Sequence, residues 1–143
     1  MKTFTPYADV EQSLRSLDLK RLGKQRVEVI RIVRALRAWI CLSHPAVLIW
    51  KGREEALSRY GLTACDVWTE HGFADTCAVT IAADLATAGV TRIRSHQHVA
   101  EAEALPPWLF DEDLQRSHRS SMLRKDPDHY ASQFPPDTPL DLS

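Results

Sequence analysis

The run Asp18-Leu19-Lys20-Arg21-Leu22-Gly23-Lys24-Gln25-Arg26-Val27-Glu28-Val29-Ile30-Arg31-Ile32-Val33-Arg34-Ala35-Leu36-Arg37-Ala38 has the periodicity of a long amphipathic helix. Leu19, Leu22, Val29, Ile30, Val33 and Leu36 recur at spacings of three, four and seven, which lines side chains along one side of a helix. Asp18 suits its N-cap. Upstream, Asp9 to Leu17 reads as a short helix. Downstream, Pro45 suits a helix start. Arg53 to His71 reads as a helix closed by Gly72, with Gly61 weakening its middle. Ala74 to Ala88 follows, capped by Asp75 and stopped by Gly89. Val90 to Arg94 is either a short extended piece or loop, and Ala100 to Ala104 permits helix. Pro106-Pro107 forces a break, after which Leu109 to Lys125 carries enough apolar residues for a last helix. The fold expected is all-α: a single compact helical domain over residues 1–133, then a Pro/Asp-rich tail, 134–143, extended and weakly ordered.

The composition of the 143 residues, 44% hydrophobic and 26% charged, is that of a soluble globule and argues against wholesale disorder. Apolar runs such as Pro45 to Trp50 are too short to cross a bilayer, and no signal segment opens the chain, so a cytoplasmic location without a membrane partner is expected. Cys41, Cys65 and Cys77 show no C-x-x-C spacing and read as buried thiols in a reducing compartment. G-x-S-x-G, Walker-type and H-E-x-x-H patterns are absent, which removes serine hydrolases, P-loop NTPases and zincins. His96-Gln97-His98 sets two imidazoles on one side if that segment is extended, and Glu101 or Glu103 could supply one more ligand, but the four that zinc needs are not in the pattern; no metal and no cofactor are expected. Trp39, Trp50 and Trp68 read as core, and Trp108, after two prolines, is allowed a surface role.

A formal net charge of −1 hides an asymmetry. Between residues 18 and 38 lie Lys20, Arg21, Lys24, Arg26, Arg31, Arg34 and Arg37, against only Asp18 and Glu28. Arg21, Lys24, Glu28 and Arg31 fall near one stripe, so one carboxylate is framed by cations opposite the leucines. This is either a solvated helix face with a Lys24–Glu28 ion pair or a phosphate-contacting face with an acid set into it. A second cluster, Arg116, His118, Arg119, Arg124, Lys125 and His129, is interleaved with Ser117, Ser120, Ser121 and Tyr130, which suit phosphate oxygens. Its plainer reading is a polar helix with cations near its C-terminus. If the early helix contacts DNA, the acids from Glu101 to Asp113 must face away from Lys24 and Arg26.

The run Leu17 to Glu28 resembles the early helix of the pyrimidine-dimer DNA glycosylase (endonuclease V) family. The run Ser117 to Tyr130 resembles that family's C-terminal segment. With His44-Pro45-Ala46-Val47 and Pro106-Pro107-Trp108, nearly the whole chain is similar to a bacterial branch assigned to the family. The resemblance implies a small all-helical fold and a metal-free, monomeric glycosylase with AP-lyase activity on damaged or modified pyrimidines in double-stranded DNA. An N-terminal amine would attack the sugar C1′ to form an imine, and a glutamate, here Glu28, would assist. The amine would be the Met1 α-amine or the Lys2 side chain, since Lys2 is too bulky for ready removal of Met1. Arg21, Lys24, Gln25, Arg26 and Arg31 would meet DNA from the early helix; His118, Arg119, Arg124, Lys125 and Tyr130 would add contacts from the C-terminal segment. The alternatives are a nucleic-acid-binding helical module without catalysis, or a helical domain whose charges are only solvated.

Overall fold

The computed structural model describes residues 2–40 and 42–142. Among them every regular element is helical: α1 Val10–Ser16, α2 Leu19–Ala38, α3 Pro45–Leu48, α4 Glu54–Glu70, α5 Cys77–Thr87, α6 His96–Glu101, a 3-10 turn Pro107–Phe110, α7 Glu112–Lys125 and α8 Pro127–Tyr130. The all-α expectation is met. The chain divides into two units: Met1–Thr3 with Leu19–Pro106, and Phe4–Asp18 with Pro107–Ser143.

In the first unit α2 packs on α4 and α5. Its buried stripe is Leu22, Gln25, Val29, Ile32, Val33 and Leu36, again at spacings of three and four. Leu19, expected in that stripe, is exposed in the first turn, while polar Gln25 takes a core position. Gly61 lets the helices meet: a Cβ there would lie 2.6 Å from Val29 Cγ1 and 2.9 Å from Ile81 Cδ1. Asp75 caps α5 from just outside it, accepting from the amides of Cys77 and Ala78. Arg94 clamps the irregular segment after α5 onto α4 through Glu55, whose carboxyl the guanidinium's hydrogen bond holds below its ordinary value. His96 and His98 lie in α6, where positions two apart point to different sides, so the shared side expected of an extended H-x-H is lost. No group of three or more His, Cys, Asp or Glu among the described residues is placed to hold a metal ion.

Trp50 is in the core and Trp68 is half-buried, but Trp39 is 71% exposed. It occupies the left-handed position that ends α2 (φ 55), with Ile40 N–H reaching Ala35 O and its own N–H reaching Leu36 O. This is a Schellman ending with tryptophan where glycine is usual, and the chain reversal aims the indole outward. Cys65 is buried and Cys77 half-buried, both as free thiols; Cys41 lies outside the described residues.

In the second unit Asp9 caps α1 by accepting from Gln12 N–H, and Asp111 caps α7. The prolines turn the start of the expected last helix into the short 3-10 turn, so α7 begins only at Glu112. The segment after α8, expected to be weakly ordered, is tied down. Phe134 is buried with its ring stacked on Tyr130 at 5.1 Å, and Arg124 donates to the carbonyls of Leu140 (2.6 Å) and Leu142 (2.8 Å). No described helix is long and apolar enough to cross a membrane.

Candidate active site

The first unit joins the early helix to the first described residues of the chain. Gln25 is 1% exposed, and its Nε2 donates to Lys2 O at 3.0 Å. Its Oε1 accepts from Tyr60 Oη at 2.6 Å. Trp50 Nε1 donates to Thr3 Oγ1 at 3.0 Å, and the Trp50 and Tyr60 rings lie 6.0 Å apart. Residues 2 and 3 are thereby fixed against α2 by three buried side chains. Lys2 itself is exposed, and Met1 with its α-amine lies outside the described residues.

Glu28 follows Gln25 by three positions, so the two are neighbours on the helix surface. Glu28 Oε1 accepts from Arg31 Nη1 at 3.3 Å, making Arg31, and not Lys24, its ion-pair partner. Oε2 is buried and has no hydrogen-bond partner among the described residues. A buried carboxylate oxygen left in this state is costly unless a reacting group uses it.

The expected DNA contacts divide. Lys24 and Arg31 are exposed on α2, and Arg21 is half-buried there. Arg26 is turned inward: its side chain is 14% exposed, Nη1 donates to Asp75 Oδ1 at 2.5 Å, and the guanidinium lies 4.4 Å from the Trp68 ring centroid. Gly23 makes room for that ring, which stacks on Phe73. Burial pushes the Asp75 carboxyl up, but the Ala78 amide, Arg26 and the Cys77 amide outweigh it and hold the acid below its ordinary value. Burial raises both the Cys65 and Cys77 thiols. Arg26 is therefore engaged in an internal ion pair, and Gln25, also expected to meet DNA, is buried. The acid beside Arg26 is Asp75, which the sequence pattern identifies only as a helix cap.

In the second unit Tyr130 is fully buried. Its hydroxyl donates to Asp18 Oδ1 at 2.5 Å and accepts from Asp18 N–H at 3.1 Å, so it anchors the stretch of chain before α2. His118 is buried, with Nδ1 accepting from Thr5 N–H at 3.0 Å. Arg119 donates to Pro6 O at 2.7 Å and Arg124 holds the C-terminal carbonyls. Lys125 is exposed, with its ammonium 5.3 Å from the Phe4 ring centroid. Much of this cluster thus fastens residues 4–18 and 134–142, a role that side-chain type alone does not distinguish from phosphate binding.

The described residues thus form an all-helical chain with an acid on a cationic helix and with residues 2 and 3 fastened one turn away. Over residues 1–81 of 143 it matches the family described as pyrimidine dimer DNA glycosylase, and the chain belongs to that family of DNA-repair enzymes. No curated protein and no solved structure matches it.

Proposed function

We propose that the protein is a glycosylase with AP-lyase activity on damaged or modified pyrimidines in double-stranded DNA. An amine at the beginning of the sequence, the Met1 α-amine or Lys2 Nζ, attacks C1′ of the damaged nucleotide. The C–N bond to the enzyme forms as the N-glycosidic bond breaks, and the base leaves with the bonding pair and takes up a proton. Loss of the amine proton and opening of the sugar give an imine. Removal of a C2′ proton then expels the 3′ phosphate by β-elimination, and water releases the amine. Glu28 stabilises the cationic sugar and carries protons between these steps. The chemistry uses the chain's own groups and calls on no cofactor.

The observation that carries this reading is the placement of Lys2 by Gln25, one helical turn from a carboxylate with an unpartnered buried oxygen. Family membership supports the substrate class. Exposed Lys20, Lys24, Arg31 and Lys125 are the cations offered to phosphates. The test is nicking of ultraviolet-irradiated plasmid. Wild-type protein is expected to nick irradiated plasmid only, and Glu28→Gln to bind it without nicking. Nicking by Glu28→Gln at the wild-type rate would rule out the mechanism; salt-sensitive binding with no nicking by wild type would leave a binding module.

A further inference from the structure

We infer that Tyr60 and Trp50 are positioning residues for the amine nucleophile, acting through Gln25 and Thr3; this rests on the glycosylase reading above. Neither aromatic residue is exposed: Tyr60 is fully buried and Trp50 nearly so. Trp50 donates its polar hydrogen to Thr3 directly, and Tyr60 donates its own to Gln25, which in turn donates to Lys2. The Tyr60 hydroxyl fixes the Gln25 carboxamide by its oxygen, which leaves Nε2 aimed at Lys2 O. The indole N–H of Trp50 holds the Thr3 hydroxyl. A carboxamide fixed at its oxygen cannot rotate without leaving a buried group unpaired, so the direction of its N–H is set by Tyr60. Two separate restraints therefore act on consecutive residues, Lys2 and Thr3. An amine attacking C1′ needs that restraint, because attack requires a narrow range of distance and angle. Core packing alone does not require it: a phenylalanine at position 60 would fill nearly the same space.

The test is single-turnover borohydride trapping on duplex DNA with an abasic site, comparing wild type, Tyr60→Phe and Trp50→Phe across pH. Affinity is measured separately on a duplex with a non-reactive tetrahydrofuran abasic analogue, at a temperature well below each protein's Tm. Loss of either hydroxyl or indole restraint is expected to slow trapping by about one to two orders of magnitude while affinity changes by less than about threefold. The pH profile should also change shape, because the amine no longer keeps a fixed relation to Glu28. Variants that trap at the wild-type rate with an unchanged profile, whatever their Tm, would overturn the inference. Failure of wild type itself to form an adduct would overturn the glycosylase reading, and this inference with it.

Discussion

The inward turn of Arg26 has a measurable consequence in the pair Asp75→Ala and Arg26→Met. The Asp75 side chain is 4% exposed and accepts from Arg26 Nη1 at 2.5 Å, Cys77 N at 3.2 Å and Ala78 N at 3.0 Å. Removing it deletes a helix cap, worth about 1 kcal/mol, and leaves a guanidinium unpaired where Nε already lacks a partner. Stranding a buried charge costs about 3–5 kcal/mol; the lower end applies because Arg26 keeps some solvent and the face of Trp68. The two losses share one carboxylate and overlap, so about 3–4 kcal/mol is expected for Asp75→Ala. In Arg26→Met the carboxylate keeps both amides and methionine covers the indole, so about 2 kcal/mol is expected, the worth of one charge-assisted hydrogen bond. Urea unfolding followed by tryptophan fluorescence measures both. The Asp75 carboxyl is held below its unfolded value of about 3.9, so its stabilisation is full above that pH and fades as pH falls through the lower folded value. The gap between wild type and Asp75→Ala should therefore close in acid. DNA affinity of Arg26→Met should stay within about threefold of wild type, since an internal ion pair supplies no phosphate contact. Greater destabilisation by Arg26→Met than by Asp75→Ala would mean that Asp75 does not hold a buried Arg26 charge. So would a normally folded Arg26→Met that loses more than about tenfold in affinity.

Three further outcomes follow from the packing and the charges. Gly61→Ala should destabilise by about 1 kcal/mol in urea despite alanine's helix preference, because its Cβ collides with Val29 and Ile81; adding Val29→Ala should recover part of the loss. Lys20→Gln and Lys24→Gln should each weaken duplex binding regardless of sequence and lower the slope of log affinity against log salt by about 1, measured by fluorescence anisotropy. Tyr130→Phe should cost about 1–2 kcal/mol by thermal or urea unfolding while leaving duplex affinity unchanged, as expected of a buried hydroxyl paired to Asp18.

The helices are legible in the sequence because the apolar spacing and the caps agree locally. Asp75 accepts from the first amides of its helix as expected, and the two prolines break the helical run where expected, while Asp111, inside the expected last helix, instead caps it. Glu28 stands out for the same reason: it is the lone acid within a cationic stripe. The partners of the basic residues are not legible, because charge alone does not tell an ion pair from a phosphate ligand. Arg26 finds Asp75 forty-nine positions away, and His118 finds Thr5 across 113. Gln25 carries a usable signal, since it stands three after Leu22 and four before Val29, within the buried stripe. A polar residue in such a stripe calls for buried partners, and these are Tyr60 and the Lys2 carbonyl. Trp39 departs from its expected core position because its exposure depends on the left-handed turn that ends α2, which composition does not reveal.

Mapping the reduced adduct shows whether an amine at the start of the sequence reacts beside Glu28. Wild-type protein, mixed with duplex DNA bearing a cyclobutane pyrimidine dimer and treated with borohydride, is digested and analysed by mass spectrometry. A single sugar remnant on the Met1 α-amine or on Lys2 Nζ is predicted, and its loss in Glu28→Gln. An adduct on a distant lysine, or folded DNA-bound protein with no adduct at all, would contradict such a reaction.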